Sequence, residues 1–475
     1  MCLQSHMPMA KSFDEQEITF KTNLTSKQVK NMFKKHHFIP IGILYLTVKL
    51  MKRRCNKLDN NEKNIKFTED FATKTDELQL ASSSIMSRYT ELLLAIACGM
   101  AVANIYFAHP LLDSIATDFI ITPSTIGIVI TITQICYALG LLLLVPLGDL
   151  LNQRHVIIGQ MLMLVVALVV VGIAPTSIVF FIGIAVVGLL ATVTQTLVAY
   201  ASTLAVPAER GRVVGFVTSG VVIGILLART FAGIMTDLGG WRSVYLSSAV
   251  LILILIGLLH KELPGTVYKH PPLSYPMLLH SVLMLFVQER ILLIRGILAL
   301  LIFTVFSTFW TSLVLPLSSP SYSFSHTAIG AFGLAGVSGA LAAARAGRLA
   351  DRGLGQLTTF VALVLLMASW FFIYFINYSI PVLIIGIILL DLAVQAVHVT
   401  NQSLIFTVRP EARSRLTAAY MVFYSVGSAT GSIVSTNIYA NYGWKGVCLF
   451  GVSVSALALV FWMATYRLTK EIMQK

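Results

Sequence analysis

The chain has 475 residues, of which 56% are hydrophobic and only 12% charged, and its mean hydropathy is +0.82. A soluble protein of this length cannot enclose so much apolar surface, so the composition excludes a soluble enzyme or binding domain and indicates a membrane protein. The formal net charge of +13 does not indicate a nucleic-acid-binding surface, because 15 of the 34 Lys and Arg residues precede Tyr89 and the others separate apolar runs.

Residues 1–88 form a region rich in lysine and asparagine. Its longest apolar run, 38–49, is shorter than the roughly 20 residues of a membrane-spanning helix, and it lacks the cleavage site of a signal peptide. We therefore predict a disordered N-terminal extension. The abrupt change of composition near Met86 also suggests the hypothesis of an alternative translation start at that residue.

From residue 91 onward, apolar runs of spanning length alternate with short polar joints, which predicts an all-α membrane protein. The twelve predicted spans are 91–115, 125–147, 155–174, 177–202, 213–236, 243–260, 292–316, 327–346, 357–376, 380–406, 416–439 and 447–466. If the N-terminus is cytoplasmic, sixteen Lys and Arg residues lie on the cytoplasmic side and only Arg242 and Lys445 on the other. The sequence therefore predicts that both termini are cytoplasmic.

An internal repeat divides the spans into two groups of six. The segment PAERGR at 207–212 returns as PEARSR at 410–415, and GWR at 240–242 returns as GWK at 443–445, each 203 residues later. Parallel six-helix repeats of this kind form one of the known transporter architectures. We predict a six-helix bundle at 89–260, a cytoplasmic linker at 261–291 and a second six-helix bundle at 292–475.

Two short charged segments lie at matching places in the halves, PLGDLLNQR at 146–154 and GRLADRGLG at 347–355. They resemble the loop motif of the major facilitator superfamily, in particular of its drug:proton antiporter-like exporters. The resemblance covers about 91–470 and implies the major facilitator fold, with helices 1, 4, 7 and 10 around a central cavity. The matching residues are Leu147, Asp149 and Arg154 in the first segment and Gly347, Leu349, Ala350, Asp351 and Arg352 in the second.

From this motif we predict that Asp149, Arg154, Gly347, Asp351 and Arg352 hold the cytoplasmic side shut in one state of the protein. An aspartate at a helix end can accept hydrogen bonds from a neighbouring helix N-terminus and pair with arginine, and glycine lets helices approach closely. The alternative is a charged loop that only sets the topology.

Three ionisable residues lie inside predicted spans, where each costs about 2.5–3.5 kcal/mol on insertion scales. They are Arg229 in the fifth span and Asp391 and His398 in the tenth. Asp391, Gln395, His398 and Gln402 are spaced by 4, 3 and 4 residues and therefore share one helix face.

Further polar side chains lie on the first, fourth and seventh spans, and together they predict a mildly polar, aromatic cavity suited to an amphipathic solute. The predicted lining is Asn104, Tyr106, His109, Thr192, Gln195, Thr304, Ser307, Thr308, Trp310, Thr311, Gln395 and Gln402. For each side chain the alternative is an interhelical hydrogen bond that holds the bundle together.

Arg229 stands where the helix-5 motif of the antiporters has proline. Because Arg229 and Asp391 lie at similar predicted depths, we predict an ion pair between the halves, either permanent or alternating. Apolar surroundings favour the neutral carboxyl group and a nearby guanidinium favours the carboxylate. Opening and closing of the cavity would therefore load and unload a proton on Asp391, with His398 as the alternative carrier.

The sequence contains no phosphate-binding loop, nucleophile elbow, zinc pattern or dinucleotide fingerprint, and its five cysteines have no metal-like or disulfide-like spacing. We therefore expect no enzyme, no cofactor and no nucleic-acid partner. The prediction is a monomeric secondary transporter of the bacterial inner membrane that exports a small organic or drug-like solute, driven by proton influx. The alternatives are a metabolite importer or exchanger of the same fold, a membrane sensor or scaffold that transports nothing, and an inactive product.

Overall fold

The computed structural model describes residues 86–474 except 207–208, 265–273, 321 and 407–412. Nearly all of the predicted N-terminal extension, 1–88, therefore lies outside the described residues. The side chains of some residues within helices, among them Asp149 and Asp351, also lie outside the description.

The described part of the chain is helical and contains no strand. The first six membrane helices are α1 Arg88–Phe119, α2 Ile128–Leu143, α3 Gln153–Gly172, α4 Ser177–Leu204, α5 Arg210–Gly239 and α6 Trp241–Glu262. The second six are α7 Arg290–Leu317, α8 His326–Ala331 continued by Val337–Leu349, α9 Gly355–Tyr374, α10 Ile380–Phe406, α11 413–442 and α12 444–474. The predicted twelve-helix, all-α fold is confirmed.

Nine described helical segments are long and apolar enough to cross a membrane. One of them, Arg415–Thr469, contains both α11 and α12. Two other helices fall below that length, because α2 has 16 residues and α8 is interrupted by a tighter turn at Phe332–Gly336. The nine segments contain ten helices, and α2 and α8 bring the number to twelve.

The internal repeat recurs at the turn between the last two helices of each half. Gly240 separates α5 from α6 with φ of 76°, and Gly443 separates α11 from α12 with φ of 62°. Both values lie in the left-handed region, which glycine adopts at little cost. The repeated tripeptides GWR and GWK thus mark equivalent sharp turns.

The repeat also recurs in helix packing. A Cβ atom at Gly224 of α5 would overlap the backbone of Gly99 on α1, and one at Gly427 of α11 would overlap the carbonyl oxygen of Leu300 on α7. Gly224 and Gly427 are 203 residues apart, the same offset as the sequence repeat. Equivalent glycines therefore bring equivalent helices into backbone contact in the two halves.

Contacts between the halves, α1–α6 and α7–α12, are concentrated away from the chain termini. We call the side where α1 begins and α12 ends the terminal side, and the opposite side the far side. A Cβ atom at Gly127, which directly precedes α2, would overlap the carbonyl of Ser432 on α11, and one at Gly330 of α8 would overlap the carbonyl of Arg229 on α5. These two contacts are also related by the 203-residue offset. They close the far side of the protein symmetrically.

The predicted linker, 261–291, contains a helix at Tyr275–Gln288. The Tyr275 hydroxyl donates to the carbonyl of Leu143 on α2 (2.9 Å), and Phe286 packs against Phe423 on α11, with ring centroids 5.6 Å apart. The linker helix therefore contacts both halves on the terminal side.

Close packing of α1 on α5 generates a stability prediction. A Cβ atom at Gly220 would overlap the carbonyl of Ala95, whereas one at Gly215, on the same helix, would meet nothing within 4 Å. Both Gly→Ala changes gain up to about 1 kcal/mol of helix propensity, but overpacking at Gly220 costs about 1–3 kcal/mol. We expect Gly220→Ala to lower the thermal unfolding temperature in detergent and Gly215→Ala to leave it equal or raise it. Equal unfolding temperatures for the two variants would contradict the backbone contact.

Candidate functional site

A small cavity of about 10 Å³ lies between α5 of the first half and α7, α8 and α10 of the second half. Its lining combines apolar side chains with one basic, one acidic and one amide group. The lining residues are Val222, Ile225, Leu226, Arg229, Phe306, Gly336, Asp391 and Gln395. The cavity therefore lies where the two halves meet and contains two of the three ionisable residues predicted within the membrane.

Arg229 extends from α5 into this cavity and is only 2% exposed. Its guanidinium carbon lies 3.8 Å from the ring centroid of Trp310, 5.4 Å from that of Tyr106 and 5.5 Å from that of Phe306. Within the described part of the chain, Nε and Nη2 have no hydrogen-bond partner. The arginine is thus stabilised by aromatic rings while two of its donor atoms remain available.

Asp391 on α10 is 4% exposed, and its Oδ1 accepts a hydrogen bond from Trp310 Nε1 (3.1 Å). A Cβ atom at Gly336 would lie 2.7 Å from Asp391 Oδ2, so the glycine of α8 leaves room for the carboxyl group. Trp310 therefore contacts both charged groups, with its ring against Arg229 and its N–H on Asp391.

Arg229 and Asp391 do not form an ion pair in this state. Among the described residues, no carboxylate oxygen lies within 4.0 Å of an Arg229 nitrogen. The sequence predicted two forms of this ion pair, and the permanent form is wrong. In this state each of the two side chains contacts Trp310 instead of the other. The alternating ion pair stays a prediction.

Beside the cavity, the hydroxyl groups of Tyr106 on α1 and Tyr424 on α11 are in hydrogen-bonding contact between the halves. His109 stacks on Tyr106, with ring centroids 5.7 Å apart, and its Nδ1 lies 3.2 Å from the Tyr106 carbonyl oxygen. Tyr424 was missed by the sequence analysis, because the resemblance places α11 outside the set of cavity helices.

Several predicted lining residues form hydrogen bonds with other protein groups instead, either between helices or within one helix. Asn104 Oδ1 accepts from Ser248 on α6 (2.9 Å), and the Thr192 hydroxyl donates to Leu189 within α4 (2.8 Å). Thr304 and Thr308 on α7 donate to carbonyl groups of α11, while Ser307 and Thr311 are buried within hydrogen-bonding distance of each other. The structure therefore places Thr304 and Thr308 of the α7 stripe against α11.

The remaining polar residues of α10 lie at different places along the cavity. Gln395 is in the lining, whereas Gln402 lies two turns closer to the terminal side and, like Gln195 of α4, is half-buried. His398 Nδ1 lies 3.1 Å from the Tyr420 hydroxyl, and the His398 ring contacts that of Phe303 (5.2 Å). His398 therefore packs against Phe303, Tyr420 and Tyr424 and is not in the cavity lining with Arg229.

In the predicted gating motif, Arg154 Nη2 donates to the carbonyl of His260 at the end of α6 (2.5 Å). Arg352 is exposed, and Gly347 lies against Val399 on α10. The Asp149 and Asp351 side chains lie outside the description, so the gating role of this motif stays a prediction.

The far side carries an ionic cluster that the sequence analysis missed. His326, the first residue of α8, lies with Nε2 3.2 Å from Asp113 Oδ1 of α1 and with Nδ1 3.2 Å from Asp237 Oδ1 of α5. The Asp237 carboxylate also accepts hydrogen bonds from the backbone N–H groups of His326 (3.1 Å) and Thr327 (2.8 Å). One half thus supplies the acid that binds the N-terminus of a helix in the other. The repeat offset pairs Asp237 with Ala440, so the repeat contained no signal for this cluster.

A second missed ion pair lies at the terminal side of the first half. Arg212 Nη1 and Nη2 on α5 donate to the two carboxylate oxygens of Glu91 on α1, at 2.8 and 2.7 Å. This two-point contact joins the same pair of helices that the glycines bring together.

The sequence matches the family model of the Major Facilitator Superfamily over residues 92–375 and 295–472. It is 44% identical over 370 residues to the uncharacterized transporter YgaY of Escherichia coli O157:H7, a match that covers 78% of this chain and 94% of that protein. A Streptomyces coelicolor protein named as a transporter, SCO4007, is 29% identical over 394 residues, covering 78% of this chain and 86% of that protein.

The structure is similar to the crystal structure of a bacterial homolog of the human lysosomal transporter Spinster in an inward-facing and occupied conformation. The TM-score is 0.64 and the sequence identity 13%, over 81% of this chain and 96% of that one. Likeness at this identity shows the fold alone. The family match extends over nearly all of the membrane bundle and agrees with a relative that is 44% identical. The chain therefore belongs to the Major Facilitator Superfamily and is a multi-pass membrane transporter of that family.

Proposed function

We propose that this transporter moves a small organic solute through the central cavity by alternating access and couples the movement to protons at Asp391. The single observation that carries the proposal is a carboxyl group that is 4% exposed, lies in the cavity and is contacted from the seventh helix by Trp310. A buried carboxyl group is costly to ionise in apolar surroundings, so its protonation depends on what lies beside it.

Alternating access follows from where the halves touch. The far side is closed by the Gly127–Ser432 and Gly330–Arg229 backbone contacts and by the His326 cluster. If these contacts separate while the terminal side closes, the cavity changes the side to which it opens, and Arg229 moves relative to Asp391. The protonation of Asp391 would then differ between the two states.

The first candidate is export from the bacterial cytoplasm across the inner membrane, with both termini cytoplasmic and proton influx as the driving force. The resemblance to drug:proton antiporter-like exporters supports this direction. In such an exchange, the solute and the proton occupy the cavity in turn, and a single twelve-helix chain is sufficient as a monomer.

The second candidate is uptake or exchange of a metabolite together with a proton. The two unpartnered donor atoms of Arg229 favour it, because they suit a negatively charged solute. An anion in the cavity would favour the protonated form of Asp391, so solute and proton would move in the same direction.

Asp391→Asn tests the proton coupling. In vesicles that contain the purified full-length protein under an imposed pH gradient, compounds added one at a time should change the rate at which the gradient collapses. We expect Asp391→Asn to reduce this solute-dependent flux to that of protein-free vesicles, because asparagine cannot exchange a proton.

The control for this assay is Glu262→Gln, which changes an exposed acid at the end of α6 and should leave the flux unchanged. Solute-dependent proton flux at the wild-type rate in Asp391→Asn would remove Asp391 from the mechanism. Absence of any solute flux from folded wild-type protein would support the sensor or scaffold alternative.

The His326 cluster generates a prediction about pH and the closed far side. His326 precedes the predicted span 327–346, and its hydrogen bond to Asp113 raises the pKa of its imidazole. Protonated His326 therefore stabilises the closed far side. This contribution is complete below the ordinary histidine pKa of about 6.5 and is lost as the pH rises through the raised pKa.

We expect the far side to open more often as the pH rises above about 6.5. Spin labels at Thr122→Cys and Tyr378→Cys, two exposed far-side positions in opposite halves, would report the opening as a longer distance. His326→Gln should abolish the pH dependence, whereas His260→Gln, at the end of α6 on the terminal side, should retain it. The same pH dependence in His326→Gln would show that another group controls the opening.

A further inference from the structure

We propose that the solute is a small organic anion, bound by its acid group to Arg229 and by its apolar part to the surrounding rings. This inference rests on the proposed function, because it assigns a chemical class to the solute of the same cavity. The observation that carries it is a guanidinium 2% exposed, in the lining of the cavity, with Nε and Nη2 unpartnered in the described part of the chain.

The charge of Arg229 requires compensation that the described residues do not fully supply. Arginine stays protonated in proteins, so burial cannot neutralise it as it can neutralise a lysine or a carboxyl group. The ring of Trp310 provides part of the compensation from one face of the guanidinium, 3.8 Å away. It cannot accept the hydrogen bonds of Nε and Nη2, which lie in the guanidinium plane. These atoms form one edge of the group, to which a carboxylate can bind through both of its oxygens.

Asp391 does not take that place in this state. Its Oδ1 accepts from Trp310 Nε1, and no ion pair joins it to Arg229 within 4.0 Å. The edge of Arg229 is therefore free for a carboxylate brought by the solute. The same edge would also suit a sulfonate or phosphate, but the cavity walls favour a less polar molecule.

The remaining lining residues indicate the chemical character of the rest of the solute. Val222, Ile225, Leu226 and Phe306 form an apolar surface beside Arg229, and Gln395 adds one amide group. In this state the cavity measures about 10 Å³, room for about one water molecule, so the solute enters when the halves separate around these side chains. An acid group attached to an aromatic or branched apolar body, such as a small aromatic carboxylate, matches the chemistry of these walls once the halves have separated.

The neighbouring titratable groups make anion binding dependent on protons. They are Asp391 on α10, Tyr106 and His109 on α1, and Tyr424 on α11, while the contacting residues on α7 and α8 carry no ionisable group. Of these, Asp391 is the group that would repel the anion when it is ionised. Anion and proton therefore bind cooperatively, and each raises the affinity of the other by the same factor. This behaviour belongs to the second candidate function, in which solute and proton move together.

The test compares acids with uncharged amides of the same shape. Binding of benzoate, benzamide, 2-naphthoate and 2-naphthamide to the purified full-length protein would be measured by titration calorimetry, with benzylamine as a cation of similar size. We expect each acid to bind about tenfold or more tightly than its amide, because a charge-assisted hydrogen bond to arginine is lost in the amide. We also expect the acids to bind more tightly at about pH 5.5 than at about pH 8, since protonation removes the Asp391 charge.

Two variants test whether Arg229 causes the preference for acids over amides. Arg229→Gln should remove the preference for acids over amides, while Arg345→Gln, at an exposed position on α8, should retain it. If Arg229→Gln does not fold, Asp391→Asn serves in its place. It keeps Arg229, so the acid preference should remain while its dependence on pH disappears.

The outcomes separate this inference from the proposed function. The inference is overturned if the wild-type protein shows no preference for acids, binds no acid at all, or binds benzylamine more tightly than the acids. Proton-coupled flux of neutral or cationic solutes without acid preference overturns the inference and leaves the proposed function intact. Acid binding that depends on Arg229, with no solute flux in vesicles, overturns the proposed function and leaves the anion site.

Discussion

Helices in a lipid bilayer gain little from burying apolar side chains against one another, because lipid chains are equally apolar. Their association depends instead on close backbone approach, which glycine permits. In this protein, glycine contacts hold α1 to α5 and α7 to α11, and Gly127 and Gly330 hold the two halves together on the far side. These contacts set how α5 of the first half meets α8 of the second, and the cavity lies beside them.

Arg229 belongs to both this packing and the cavity. Its carbonyl oxygen lies against Gly330 of the other half, while its side chain extends over Trp310 towards Asp391. Any motion that separates α5 from α8 therefore also moves the guanidinium relative to the carboxyl group. Arg229, which stands where the antiporter motif has proline, therefore links the contact that closes the far side to the charged groups of the cavity. The helix around it is continuous from Arg210 to Gly239.

The His326 cluster adds an ionic contact to the same closed side. Asp237 binds the first N–H groups of α8 as a capping side chain would, but it comes from the other half of the protein. The glycine contact and the ionic contact act on the same pair of helices. Packing at Gly330 does not depend on pH, whereas the ionic contact does. A change of pH therefore alters only the ionic contribution to the closed far side.

The sequence by itself determined the helix count, the repeat and the identity of the costly buried charges, because apolar length, a constant offset and the penalty for charge in lipid are properties of local sequence. It also identified Arg229, Asp391 and Trp310 individually. Only the tertiary structure decided which neighbour each polar stripe meets. The hydroxyl groups of Thr304 and Thr308 on α7 bond to α11, and Asn104 bonds to α6. Sequence could not assign these partners, because helical periodicity defines a face but not the helix packed against it. The unpaired state of Arg229 was likewise decided only in three dimensions, by where the Trp310 ring lies between two charged groups.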